Sequence, residues 1–239
     1  MTAFKIEPFG DYGVLIEWHG TISPEIEQLV MAAEAYIQHE FSTEIFETVI
    51  AYTSIAVYLK RRYSPKLFID KFDYNRFSAF NNETIGTTFL IPVCYEADFG
   101  PDLDDIAAET SLTISEIIKI HTRPVYKVRF IGFLPGFPYL SGLDERLHMP
   151  RRASPRLKTA KGSVGIGGAQ TGIYTMDSPG GWHVIGRSPL CFFKPEARPP
   201  AILKAGDRIK FRAISRSEFE MIAIQEAIGS YMPERIKDD

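Results

Sequence analysis

Six basic side chains, Arg146, Arg151, Arg152, Arg156, Lys158 and Lys161, fall between positions 146 and 161 with no acid among them, and the next acid is Asp177. Such a run is either a solvated loop or a site for phosphate or carboxylate groups. Arg151 follows Pro150 and Arg156 follows Pro155, so the backbone presenting these two guanidinium forks has little freedom. A flat fork matches two carboxylate or phosphate oxygens at once. The segment from Glu96 to Glu109 gathers acids and is the internal alternative as their partner. An unperturbed histidine titrates near neutral pH, so His121 could carry a proton, or it could sit at a helix C-terminus where the macrodipole favours it. The expected catalytic residues are His121, Arg151 and Arg156.

A second group of residues suits a ligand surface. Gly132-Phe133-Leu134-Pro135-Gly136-Phe137-Pro138-Tyr139-Leu140 combines two glycines, two prolines and three rings. Prolines hold φ and glycines allow left-handed turns, so the segment takes one shape at low entropic cost. It reads as a rigid barrel corner or as the hydrophobic wall of a cleft. Ser178-Pro179-Gly180-Gly181-Trp182-His183 is a second loop of this kind, and Trp182 is a lid over a ligand or a core anchor. Ser163 and Gln170 can orient a substrate amide or satisfy barrel backbone groups. The expected substrate-binding residues are Phe133, Phe137, Tyr139, Ser163, Gln170 and Trp182.

Other chemistries lack their residues. There is no G-x-x-x-x-G-K-[ST] phosphate loop, no G-x-S-x-G nucleophile elbow and no HExxH pair. Gly162 to Gly168 fails the dinucleotide spacing, because Gln170 stands where the last glycine belongs. Five scattered histidines argue against a metal hydrolase, and no metal is expected. A net charge of −3 argues against a general nucleic-acid binder. Cys94 and Cys191, far apart beside apolar residues, read as free thiols. No apolar run approaches the roughly 18 residues needed to span a bilayer, and the N-terminus lacks a secretory pattern, so a cytoplasmic protein is expected.

The elements that must position these residues fall into two sets. Phe4 to Glu7 and Val14 to Trp18 read as strands around Gly10 to Gly13. Ser23-Pro24 opens a helix whose buried stripe is Ile26, Leu29, Val30, Ala33 and Ile37. Glu44 to Ala51 and Ser54 to Leu59 form a hairpin. Ser64-Pro65 starts a second helix running to about Phe80, and Thr87 to Val93 closes the segment as a strand. This set predicts an α+β sandwich with helices on one face of an antiparallel sheet. The polar break Asn81-Asn82-Glu83 divides the chain into residues 1–83 and 84–239. Beyond it come two short helices, the second opened by the capping box Thr113-x-x-Glu116. Short strands then alternate with Gly and Pro turns, including pieces at Leu190 to Phe193 and on both sides of Ala205-Gly206-Asp207, as in a β-barrel. A final helix, Glu218 to Ile228, ends at Gly229.

The run from His121 to Pro189 resembles the family that unites the B-type component of 5-oxoprolinase, allophanate hydrolase subunit 1 and the KipI-type sporulation-kinase inhibitor. The pieces that carry the resemblance are His121-Thr122, Tyr126-x-Val128, GFLPGFPYL, Pro150-Arg151-Arg152, Pro155-Arg156, Gly162-Ser163-Val164-Gly165-Ile166, Gln170-Thr171-Gly172-Ile173-Tyr174, Ser178-Pro179-Gly180-Gly181-Trp182 and Ile185-Gly186-Arg187, with Gly206-Asp207 later. Lys158 to Lys161 and Thr175 depart from the family's pattern, which bears on substrate specificity. The resemblance implies a small N-terminal α+β sandwich of ferredoxin-like form and a C-terminal cyclophilin-like β-barrel. It implies a carboxyltransferase-like larger subunit as partner and, in the 5-oxoprolinase version, a third subunit. That complex opens 5-oxoproline, a small lactam, to glutamate with ATP as cosubstrate, and the isolated chain is expected to be inactive. The family leaves two alternatives open: a histidine-kinase inhibitor, and an allophanate hydrolase subunit of urea degradation.

Overall fold

The computed structural model describes residues 3–20, 23–78 and 86–236. The chain divides into two compact units, Met1–Thr84 and Ile85–Asp239. The polar break Asn81 to Glu83, expected to be a linker, lies outside the described residues.

In the first unit, β1 (Phe4–Pro8) and β2 (Gly13–Trp18) form a hairpin, followed by α1 (Pro24–Glu40). A second hairpin, β3 (Ile45–Ile50) with β4 (Ser54–Leu59), precedes α2 (Pro65–Lys71) and α3 (Tyr74–Ser78). Both serine–proline starts cap as their sequence dictates: the Ser23 and Ser64 hydroxyls accept the N–H groups of Ile26 and Leu67 at 3.3 and 3.2 Å. The sheet order is β1-β2-β4-β3, antiparallel throughout. Val14, Ile16, Trp18, Ile55 and Val57 face Ile26, Val30, Ala33 and Ile37 in its core.

Three expectations for this unit are corrected. The helix begun at Ser64 does not run on to Phe80. Phe72 is extended at φ −71° and ψ 113°, and the Asp73 carboxylate accepts the Asn75 N–H at 2.9 Å, so a fresh cap starts α3. The strand expected to close the segment, β5 (Thr88–Cys94), belongs to the second unit's sheet. Among the described residues the first unit therefore has the order ββαββαα with antiparallel pairs, not the βαββαβ order of a ferredoxin-like unit.

The second unit is a closed barrel. After β5 come α4 (Leu103–Thr110) and α5 (Ile114–Thr122), then β6 (Tyr126–Ile131), β7 (Pro138–Ser141), β8 (Arg156–Thr159), β9 (Ser163–Gly167) and β10 (Gln170–Ile173). They are followed by β11 (Ser178–Gly180), β12 (His183–Arg187), β13 (Arg208–Ile214), α6 (Arg216–Ala227) and β14 (Glu234–Ile236). The order β12-β9-β10-β7-β6-β13-β5 closes where Arg187 of β12 pairs with Cys94 of β5. β14 lies along the start of β5, and β8 pairs with β11 in a separate ribbon.

The parallel β5–β13 pair is locked by the turn before β13. Buried Asp207 accepts the N–H groups of Thr87 (3.2 Å) and Lys204 (2.9 Å). A Cβ on Gly86 would lie 2.2 Å from the Gly206 carbonyl oxygen, so only glycine lets the two segments meet there. Leu190 to Phe193 and the piece before Ala205 are loops rather than the strands expected. Pro189, Pro195, Pro199 and Pro200 remove ladder donors, leaving a single bridge between Phe193 and Ala201. Val128, Leu140, Val164, Ile166, Ile173, Ile185 and Phe211 fill the barrel, joined by Ile117 and Ile120 of α5.

Candidate functional site

Strand alternation sorts the barrel wall into two faces. On β9, Val164 and Ile166 point into the core, which leaves Gly165 and Gly167 on the outer face. On β10, Ile173 points inward and Gly172 outward. Glycine at these outward positions lets rings lie directly on the strands. A Cβ on Gly167 would sit 2.5 Å from the Trp182 ring, and one on Gly172 would sit 2.9 Å from the Phe137 ring.

The rings on this floor form one cluster. Phe137 meets Tyr174 at 5.3 Å and Trp182 at 5.6 Å, both edge to face. Tyr139 meets Trp182 at 5.8 Å and stacks on Phe130 at 4.4 Å. Phe137 and Trp182 are buried and serve as anchors, whereas Phe133 is 62% exposed and perpendicular to Phe137. Phe133 also has φ +66°, a left-handed conformation that costs a side-chain-bearing residue roughly 1–2 kcal/mol. The loop holds it there. The Leu134 N–H donates to the Gly132 carbonyl at 2.8 Å, the Phe137 N–H donates to the Leu134 carbonyl at 3.0 Å, and the Thr175 hydroxyl donates to the Pro135 carbonyl at 2.7 Å. Thr175, one of the departures from the family pattern, thus pins the aromatic loop.

The arginine segment is stitched beside this cluster. The Arg152 N–H donates to the Gly181 carbonyl at 2.8 Å, and His183 Nε2 donates to the Pro150 carbonyl at 3.1 Å. Arg151 is exposed and makes no hydrogen bond or ion pair among the described residues. Burial pushes the Tyr139 and Tyr174 phenols up, and the Arg151 guanidinium pulls both partly back, which places its charge beside the two rings. An exposed guanidinium near an aromatic floor is suited to a flat, anionic ligand.

Arg156 is not available in that way. Its Nη1 and Nη2 bond Asp102 Oδ2 and Oδ1 at 2.6 and 2.5 Å, and Arg152 Nη1 adds a third bond to Oδ1 at 2.8 Å. The Val184 N–H donates to Oδ2 at 2.6 Å, so four donors answer a carboxylate that is 1% exposed. The side-chain hydrogen bond to Asp102 holds the Arg156 pKa above its ordinary value. The anion expected for Arg156 is therefore the protein's own Asp102, which braces the loop that presents Arg151.

His121, expected as a proton carrier, lies inside the barrel with no exposed surface. Its hydrogen bonds fix one tautomer. The Thr171 hydroxyl donates to the Gly165 carbonyl at 2.9 Å, so it accepts from His121 Nε2–H at 3.2 Å. Nδ1 is then the acceptor for the Tyr95 hydroxyl at 2.8 Å. Burial lowers the His121 pKa to about 3, and the ring stacks on Phe211 at 4.5 Å. It is a neutral tie through the core, on the inner side of β10, whose outer face carries the rings.

Ser163 is 4% exposed at the start of β9, while Gln170 is half-buried on the same face as Gly172. Residues missed from the sequence are Asp102, Arg152, Phe130 and Tyr174. The acid-rich stretch opposite a basic run was the available signal for Asp102. For Tyr174 it was a tyrosine ending a strand just before the second glycine-rich loop. Asp102, Asp105 and His183 each offer a ligand atom, all within 4.8 Å of one another. Arg152 and Arg156 already match the two carboxylate charges, so this cluster offers a cation no net attraction.

A closed barrel with an outer aromatic floor beside an arginine, joined to a small antiparallel α+β unit, matches one family over most of the chain. The chain belongs to the family described as carboxyltransferase domain, subdomain C and D, which matches residues 4–203. It is 37% identical over 228 residues to the B-type component of 5-oxoprolinase from Bacillus subtilis, covering 90% of this chain and 95% of that one. It is also 37% identical over 207 residues to the protein of the same name from Haemophilus influenzae, covering 87% and 96%. Among solved structures, TTHA0988 is similar with a TM-score of 0.73 and 26% identity. That similarity covers 86% of this chain, which spans only 40% of TTHA0988. The urea carboxylase of Kluyveromyces lactis shares the fold with a TM-score of 0.80 at 18% identity, over 98% of this chain and 24% of its own.

Proposed function

We propose that this chain is the B-type component of an ATP-dependent 5-oxoprolinase complex. With a carboxyltransferase-like larger subunit and a third subunit it opens 5-oxoproline to glutamate. The observation that carries this reading is the identity to the 5-oxoprolinase component of Bacillus subtilis along nearly the whole of both chains. The fold shared with urea carboxylase does not extend the reading to allophanate, because at 18% identity it speaks for architecture alone.

The outer barrel face, the cyclophilin-like part of the molecule in this reading, holds the ligand. Arg151 meets its carboxylate or a phosphorylated form, and Tyr139 and Phe133, held from below by the buried Trp182 and Phe137, pack on its ring. Gln170, on the same face, orients the lactam amide. ATP belongs to the complex. The glycine-rich segment Gly162 to Gly168 is β9 and its turn and leads into β10 rather than a helix, so it presents no helix N-terminus to a phosphate. No helix of the described residues is long and apolar enough to cross a membrane, and both cysteines are free, which suits the ATP-rich, reducing cytoplasm.

The test is ATP hydrolysis by the purified chain, by its partner subunits, and by the mixture, each with and without 5-oxoproline. Stimulation confined to the complete mixture supports the reading. Robust turnover by this chain alone, or none by the full mixture, overturns it.

A further inference from the structure

Helix α6 is apolar on two opposite faces. Ile222 is buried and Phe219 packs beside it on the barrel core. Met221, Ile224 and Ile228 follow the i, i+3, i+7 spacing of a second stripe, and they are 53%, 65% and 74% exposed. Met232 follows at 77% exposed. Lone exposed apolar residues are ordinary, but three on one face of a helix are not.

The helix is also held rigidly. Its N-cap Ser215 accepts the Glu218 N–H at 3.3 Å. Arg216 bonds Glu96 through its backbone N–H at 2.8 Å and pairs with Asp98. Near the other end, Glu226 pairs with Lys194 at 2.6 Å. A ridge already ordered in the free chain loses little entropy when something covers it.

The geometry points to α6 as the docking ridge for the carboxyltransferase-like larger subunit, met by an apolar groove or helix on that partner. This rests on the reading of the chain as one component of a complex. The relatives it matches over nearly their full length are named as subunits, and TTHA0988 and the urea carboxylase carry the same fold as 40% and 24% of one longer chain. The fold thus recurs joined to additional polypeptide. Charge also favours a different chain over a second copy. Among the exposed charges of the helix itself, Glu220 borders the stripe and Arg216 is already engaged by Glu96 and Asp98, so two copies would bring Glu220 side chains together with no free base of the helix to answer them.

The experiment mixes the full chain, as wild type, Ile224→Glu/Ile228→Glu, or the milder Ile224→Ser/Ile228→Ser, with the larger subunit. Association is read by size exclusion with light scattering, alongside the melting temperature of each free variant. The glutamate variant should associate at least about tenfold more weakly, with an unchanged melting temperature and the serine variant between. Equal association of all three overturns the proposal. So does a wild-type homodimer that the substitutions abolish while binding to the larger subunit persists. If the wild type associates with no partner and the complete mixture shows no 5-oxoproline-dependent ATP hydrolysis, the reading as part of a complex itself falls. Activity together with unaffected assembly of the variants removes only the docking ridge.

Discussion

Arg156 grips both oxygens of Asp102, at 2.6 and 2.5 Å, across 54 positions of sequence. The basic run and the acid-rich stretch meet there, and the result is a brace. Breaking a buried pair by removing one partner strands the other. Asp102→Asn should therefore destabilise the chain by about 3–5 kcal/mol, as it leaves two guanidinium groups facing a neutral amide. Arg156→Ala should cost about 1–3 kcal/mol, since Arg152 and the Val184 N–H still hold the carboxylate. Denaturant titration checks both, and wild-type midpoints would show that the brace adds nothing to stability.

Arg151 should behave oppositely to Arg156 although both follow a proline. Arg151→Ala should leave the melting temperature nearly unchanged, because exposed substitutions usually cost within about 0.5 kcal/mol. In the assembled enzyme it should lower kcat/KM for 5-oxoproline at least about tenfold, equivalent to roughly 1.4 kcal/mol. Arg151→Lys should recover part of this loss, since a point charge replaces a fork. Steady-state kinetics of the three proteins decide it, and full activity of Arg151→Ala would remove the anion site.

His121 makes a pH prediction about stability. Its folded pKa of about 3 lies below the ordinary value near 6.5, so between those limits the unfolded chain binds the extra proton. Stability contributed by the neutral ring is full above about pH 6.5 and is lost as pH falls toward 3. Melting temperatures between pH 4 and 7 should rise more steeply for the wild type than for His121→Gln. Parallel curves would mean that other groups carry the acid sensitivity.

Gly167→Ala should push Trp182 off its floor, because the new Cβ would lie 2.5 Å from the indole. Overpacking of this kind costs about 1–3 kcal/mol. The emission of Trp182 should shift toward that of an exposed indole, read in a Trp18→Phe background. An unchanged spectrum and melting curve would show that the ring does not rest on β9.

The local signals are legible because their physics is local. The serine–proline caps at Ser23 and Ser64 and the Thr113–Glu116 capping box form as their residue types require. The glycine-rich and proline-rich loops indicate a barrel, and the aromatic loop does lie with Trp182 on one face. What the sequence hides depends on long-range contact. Nothing near His121 reveals that Tyr95 and Thr171 enclose it, and nothing near Arg156 names Asp102 rather than solvent. Strand β5 reads as part of the first unit because strand character carries no mark of its partner, here β13 more than a hundred residues later.

In the proposed function this chain completes an enzyme that converts 5-oxoproline to glutamate. The most direct measurement is the glutamate released from isotopically labelled 5-oxoproline with ATP, by the partner subunits with and without this chain. Labelled glutamate should form when the wild-type chain is present and none should form when it is omitted. Equal glutamate in both mixtures, or none in either, would contradict it.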